Sequence, residues 1–201
     1  MGFNGDIVVL RGPKPLAELT PFVGTSGHPV EDELAGVDGW RFVYVRHFDH
    51  PYSYDLGMLE ELFAATGEPV MVCNVFESDV AYIQGLSSAG YWEGWLDPGS
   101  AAVYQAGRML DDAARESGAQ VFDANGNFVN PELYASLIQE CADTMTRERP
   151  EVARAVVDWA ANAGRTVALE AVAEHLGLTR EPFAEQLFLD LLDVIGVGEG
   201  Q

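Results

Sequence analysis

The chain has 201 residues, of which 48% are hydrophobic, so it is long enough to bury a substantial core. It carries 32 acidic residues against 11 basic ones, and this formal net charge of −21 disfavours DNA, RNA and anionic lipid as partners. The longest uncharged stretch, Val80 to Trp92, is too short to span a bilayer, and the N-terminus has no secretory-signal pattern. We therefore predict a cytoplasmic protein without a membrane or nucleic-acid partner.

The beginning of the chain has strand patterns and one helical pattern. Short apolar or alternating runs predict strands at residues 6–11 and 40–46. The stretch 20–38 is rich in Pro, Gly, Thr and Ser, and it is predicted to be an irregular connection. Apolar residues at helical spacing over 56–63 predict a helix, and Gly67 supplies the left-handed residue that ends it.

Three further strand-like runs follow at 70–76, 80–86 and 91–96, and only a few residues separate each from the next. Parallel strands need about a dozen intervening residues, whereas antiparallel hairpins need far fewer. We therefore predict that these runs form an antiparallel meander.

From residue 97 onward the apolar spacing is helical. Asp97-Pro98 and Asn130-Pro131 each combine an N-cap residue with proline at the first helical position, so each predicts the start of a helix. Pro150 is predicted to open another helix, and two more are predicted within 166–176 and 182–195.

These elements together predict an α+β fold. A predominantly antiparallel sheet in residues 1–96 would pack against a helical C-terminal half, residues 97–201. Because no flexible linker divides the two halves, we predict a single domain over residues 1–201.

The densest group of metal-capable side chains is His47-Phe48-Asp49-His50. Imidazole and carboxylate groups suit zinc or iron, so His47, Asp49 and His50 are the candidate metal ligands. In an extended segment, however, His47 and Asp49 would share one face while His50 would point the other way. The segment also ends at Pro51, where polar residues accumulate in turns, so solvated loop residues are the favoured interpretation.

The sequence contains no recognisable catalytic motif. It has neither a Gly-x-Ser-x-Gly elbow nor a phosphate-binding glycine loop. The stretch 123–127 begins like a calcium loop but lacks the required glycine and glutamate, so Asn125-Gly126 predicts a hairpin turn instead.

Cys73 and Cys141 lie in apolar segments and are predicted to be buried and unpaired. We predict no catalytic residue and no cofactor, and the missing motifs favour a non-enzymatic protein over an enzyme.

The stretch 171–179 resembles the approach to a helix-turn-helix motif, with Gly177 in the turn. A recognition helix must bring basic side chains to the DNA. Arg180 is the only positive charge between residues 167 and 195, against six carboxylates. A helical hairpin that completes the core is therefore the favoured interpretation.

Trp92 and Trp95 are the candidate interaction residues. On a strand, Trp95 shares one face with Tyr91 while Trp92 takes the other. One of the two tryptophans would have to leave the core unless helices cover both faces of the sheet. An exposed tryptophan beside carboxylates suits a protein-interaction anchor, and burial on both sides is the alternative.

Three segments carry a family resemblance: Val75-Phe76-Glu77-Ser78-Asp79-Val80-Ala81, Gly90-Tyr91-Trp92 and Leu96-Asp97-Pro98. In this pattern the chain resembles a group of acidic α+β proteins from GC-rich bacteria. The likeness lies in the pattern more than in the letters and extends to the helices around Trp159 and Phe183. The group implies no activity and no site residue for this chain.

The first functional hypothesis is an acidic protein-interaction module that docks a basic protein partner, in the manner of toxin-neutralising immunity proteins. Complementary charge would give fast and specific association. The alternative is an enzyme, or a small-ligand or metal binder, that uses the region of His47, Asp49 and His50. A structural or homo-oligomeric protein is the third hypothesis.

Overall fold

A computed structural model describes residues 2–19, 30–46, 56–118, 120–122, 128–179 and 183–198. In this part of the chain six strands form one sheet, and all neighbouring strands are antiparallel. The strands are β1 (Gly5–Arg11), β2 (Val30–Ala35), β3 (Trp40–Arg46), β4 (Val70–Phe76), β5 (Val80–Ser87) and β6 (Gly90–Leu96), in the spatial order β2-β3-β1-β4-β5-β6. The helices are α1 (Leu56–Thr66), α2 (Pro98–Ser117), α3 (Pro131–Asn162), α4 (Leu169–His175) and α5 (Ala184–Val194). The α+β prediction is thereby confirmed.

The predicted meander is confirmed as β4, β5 and β6. Glu77 and Ser78, which join β4 to β5, both have positive φ, as the central residues of a type I′ hairpin turn do. Gly90, at the start of β6, has φ 119, a value that glycine adopts without steric cost. These tight turns place β6 at the edge of the sheet, next to the start of α2.

The sheet is buried on both faces, because successive strand residues point to opposite sides. On one side, the three-helix face, Ile7, Met71 and Ile83 pack with α3, α4 and α5. On the other side, the α1 face, Val8 and Val72 pack with leucines of α1. Two cores therefore lie above and below one sheet.

Trp159 anchors α3 on the three-helix face. It is fully buried, its Nε1 donates a hydrogen bond to the carbonyl oxygen of Val70 at 2.9 Å, and its ring lies 5.4 Å from that of Trp40. A buried indole N–H that finds an acceptor avoids the cost of an unpaired donor.

The structure differs from the sequence-based prediction in the stretch 20–38. Part of it, Val30–Ala35, is the edge strand β2, which pairs with β3. Its three consecutive acidic residues, Glu31 to Glu33, hide the strand pattern, and an edge strand tolerates such charge.

The prediction of separate helices before and after Pro150 is wrong, because α3 is continuous from Pro131 to Asn162. Proline removes the hydrogen bond to the carbonyl four residues earlier, here that of Thr146. Both Pro150 and Thr146 are exposed, so water can take that carbonyl's bond and the helix continues.

In the described residues, no helix combines the length and the apolar character that crossing a membrane requires.

Candidate functional site

A cavity of about 330 Å³ wraps round the outer edge of β6. Tyr104 of α2 contacts Phe76 on the α1 face, while Val152 of α3 packs against Gly94 on the three-helix face. The two helices therefore flank the edge strand and enclose the space beside it. We call this space the edge cavity.

The close approach of α3 depends on Gly94. A Cβ atom at this position would lie 2.7 Å from Cγ1 of Val152, which is closer than real Cβ contacts come. Glycine thus sets the separation of α3 from β6 and with it the shape of the edge cavity.

One wall of the edge cavity is aromatic. Tyr82 and Trp95 form a cross-strand pair with ring centroids 4.6 Å apart. Phe76 also lines the wall, and Tyr104 stacks on it with centroids 4.9 Å apart while lying 5.9 Å from Trp95. Such a wall offers flat apolar surface to a ligand.

Asn74 lines the edge cavity and has one buried polar atom without a hydrogen-bond partner. Its side chain is 2% exposed, and its Nδ2 donates a hydrogen bond to the buried carboxylate of Asp6 on the neighbouring strand. An ionised carboxylate only accepts hydrogen bonds, so with Asp6 ionised the amide nitrogen faces Asp6 and the oxygen points elsewhere. That Oδ1 atom is buried and has no hydrogen-bond partner, a state that costs about 1–3 kcal/mol.

Glu93 is held in place at the edge cavity by two tyrosines. Tyr91 donates its hydroxyl hydrogen to Glu93 and accepts a hydrogen bond of 2.7 Å from Nε2 of Gln84. Burial, together with the bond to Glu93, raises the pKa of Tyr91 to about 12. Burial and the same carboxylate raise the pKa of Tyr82 well above its usual value. Both hydroxyls therefore stay protonated at neutral pH and act as donors.

The edge cavity carries charges of both signs. Arg108 of α2 and Arg149 of α3 line it, as do Glu93 and Glu148. Burial raises the pKa of the Tyr104 hydroxyl, and the nearby positive charge of Arg108 opposes this rise. Ion pairs among the described residues join Arg41 to Glu33, Arg115 to Asp112 and Arg165 to Asp38, and neither cavity arginine takes part in them.

The structure separates the two tryptophans that the sequence singled out. Trp92 is 7% exposed and packs on the three-helix face, where a Cβ at Gly85 would overlap its ring. Trp95 is half-buried on the opposite face and lines the edge cavity. Trp95 is thus the one of the pair that a ligand can reach through this cavity.

The candidate metal ligands His47, Asp49 and His50 lie outside the described residues. Among the residues that are described, no three His, Cys, Asp or Glu side chains come together as a metal site would require. Both cysteines are buried and free, as predicted. Burial raises the pKa of the Cys73 thiol well above its usual value, so it remains a protonated, packed side chain.

Sequence reasoning missed most of the edge cavity. Asn74 gave a signal, because a carboxamide in the middle of an apolar strand needs a partner or a function. Arg108, Arg149 and Glu148 gave none, because they come from two helices more than thirty residues apart in the chain. Comparison with known proteins gives no match to any family model, curated protein or solved structure.

Proposed function

We propose that the protein binds a small organic molecule in the edge cavity. The observation that carries this proposal is the aromatic wall that Phe76, Tyr82 and Trp95 form beside charged side chains of both signs in one cavity. Ligand pockets characteristically combine such walls with a few placed polar groups.

The chemistry of the wall supports binding rather than catalysis. The hydroxyls of Tyr82 and Tyr91 keep their protons at neutral pH, so they serve as donors that hold Glu93 and not as bases. The thiol of Cys73, which lies on the opposite face of the sheet, is fully buried.

A fragment screen by saturation-transfer NMR tests the proposal. We expect fragments that contact the wild-type protein to lose most of their signal with Trp95→Ala, which removes part of the aromatic wall. Phe183→Ala is the control, because Phe183 is 51% exposed and does not line the edge cavity. Fragment contacts that survive Trp95→Ala as fully as the control would contradict a ligand site at this place.

A second candidate function is the docking of a basic protein partner. The observation that favours it is the excess of carboxylates, 32 against 11 basic residues. Among the described residues, few of these carboxylates form an ion pair. Such a surface would attract a basic partner and accelerate association. Partners isolated at low salt should have basic isoelectric points and dissociation constants that rise steeply with ionic strength. Neutral or acidic partners with salt-independent binding would reject this function.

A further inference from the structure

We propose that the molecule bound in the edge cavity is a zwitterion of amino-acid size, with one carboxylate, one ammonium group and an apolar or aromatic side chain. This inference rests on the proposed ligand-binding function and adds the chemical class of the ligand. Two features carry it: the mixed charges of the cavity and the net charge of the whole molecule.

The edge cavity has a partner for each charge of a zwitterion. Arg108 and Arg149 reach it from α2 and α3, and neither takes part in an ion pair among the described residues. Glu93 and Glu148 bring carboxylates to the same cavity. A guanidinium group only donates and a carboxylate only accepts, so the arginines match a ligand carboxylate and the glutamates match an ammonium group.

Glu93 identifies the end of the cavity that receives the ammonium group. Its carboxylate accepts hydrogen bonds, which an ammonium group offers and a ligand carboxylate does not. The hydroxyl of Tyr91 holds Glu93 in position. The carboxylate of the ligand then faces the arginines on the helices.

The net charge of −21 selects against a simple anion. The field of the molecule repels an anion until salt screens it, over a Debye length of about 8 Å at physiological ionic strength. A zwitterion has no net charge, so the field of the molecule does not repel it before it reaches the arginines that line the cavity. A simple cation would be attracted, but it would leave Arg108 and Arg149 without a counter-charge.

The size of the cavity limits the ligand. About 330 Å³ is at the small end of the range for ligand pockets, roughly 300–1,000 Å³. Trp95, Met145 and Val152 supply apolar surface for the side chain of the ligand. An amino acid with a large apolar side chain meets both conditions.

Titration calorimetry of the full chain with four compounds tests the inference. All four carry the same phenyl ring: L-phenylalanine is zwitterionic, phenethylamine is a cation, hydrocinnamate is an anion and phenylethanol is neutral. We expect L-phenylalanine to bind at least about tenfold more tightly than each of the others, because each charge-assisted contact is worth about a factor of ten.

Variants that each remove one charge show which cavity side chains bind the carboxylate and which bind the ammonium group of the ligand. Arg149→Gln should weaken L-phenylalanine and hydrocinnamate by about tenfold and leave phenethylamine unchanged. Glu93→Gln should weaken L-phenylalanine and phenethylamine and leave hydrocinnamate unchanged. Arg154→Gln and Glu151→Gln are the matched controls, because both residues are exposed on α3 and do not line the cavity. Neither control should alter the binding of any of the four compounds.

The outcomes separate this inference from the proposed function. Phenylethanol binding as tightly as L-phenylalanine, or hydrocinnamate binding more tightly, would overturn the zwitterion and leave a ligand site in place. The zwitterion is equally overturned if none of the four compounds binds while the fragment screen gives contacts that depend on Trp95. If that screen gives no such contact either, the proposed function itself fails.

Discussion

Single residues set the geometry of the edge cavity. Asn74 sits in a strand of buried apolar residues and faces Asp6 with its nitrogen, so its oxygen is left buried without a partner. Gly94 lets α3 approach β6 on the other side. A carboxamide in place of an apolar side chain and a glycine in place of a larger residue are both costly choices within a strand.

Gly94→Ala should lower the free energy of unfolding by about 1–3 kcal/mol, because the added Cβ would lie 2.7 Å from Val152 Cγ1. Val152→Ala in the same chain should recover part of this loss by removing the colliding methyl groups. Gly107→Ala is the matched control: nothing lies within 4 Å of its Cβ position in α2, so it should raise stability by about 0.5–1 kcal/mol. Urea denaturation gives the free energy of unfolding of the wild type, the two single glycine variants and the double variant. Equal effects of Gly94→Ala and Gly107→Ala would contradict the close packing of α3 on β6.

The tyrosines that hold Glu93 predict a loss of stability in alkali. Burial first, and then the bond to Glu93, raises the pKa of Tyr91 from 10 to about 12, so the folded state holds this proton more tightly than the unfolded chain. The resulting stabilisation is fully present below pH 10 and is lost as the pH rises through about 12. Tyr91→Phe should therefore lose less stability than the wild type between these pH values, as measured by urea denaturation. If the wild type and Tyr91→Phe lost stability equally with rising pH, the pKa of Tyr91 would not be raised in the folded state.

At the scale of elements, α3 is one continuous helix where the sequence predicts two, one before and one after Pro150. Its first half packs against α2 around Cys141, and its second half packs on the sheet around Trp159. Pro150 lies between these halves at an exposed position. The packing at both ends holds the helix together where the proline has weakened it.

Pro150→Ala should raise the free energy of unfolding by about 1–3 kcal/mol, because it restores a backbone hydrogen bond and removes the clash of the ring. Pro131→Ala is the control: Pro131 is the first residue of α3, where proline fits, so its replacement should change stability little. Thermal and urea unfolding provide the comparison. A destabilising effect of Pro150→Ala would contradict the view that the proline weakens α3.

At the scale of the whole molecule, the excess of negative charge acts against the compact state. The 32 acidic residues repel one another in the fold, and only a few of them have a basic partner among the described residues. A homo-oligomer would have to bring two such charges together, so the homo-oligomer hypothesis requires an interface that overcomes this repulsion.

Screening should therefore stabilise the fold. Raising NaCl from about 10 mM to about 150 mM shortens the Debye length from about 30 Å to about 8 Å. We expect the Tm to rise by about 2–4 °C, which corresponds to about 1 kcal/mol for a chain of this size. The rise should level off at moderate salt, as screening does. A Tm that stays constant over this range, or that climbs steadily into molar salt, would show that charge repulsion is not the cause.

The sequence alone determined the charge, the types of most elements and the antiparallel meander, because these depend on composition and on patterns within a few residues. It placed the start of α2 at Asp97-Pro98 and the end of α1 at Gly67, where the structure has them. Only the tertiary structure decided that the acidic stretch 30–35 is an edge strand, that α3 runs through Pro150, and that the edge cavity exists. The reason is physical: Asn74, Arg108 and Arg149 lie on three different elements, and nothing in their local sequence records that packing brings them to one cavity.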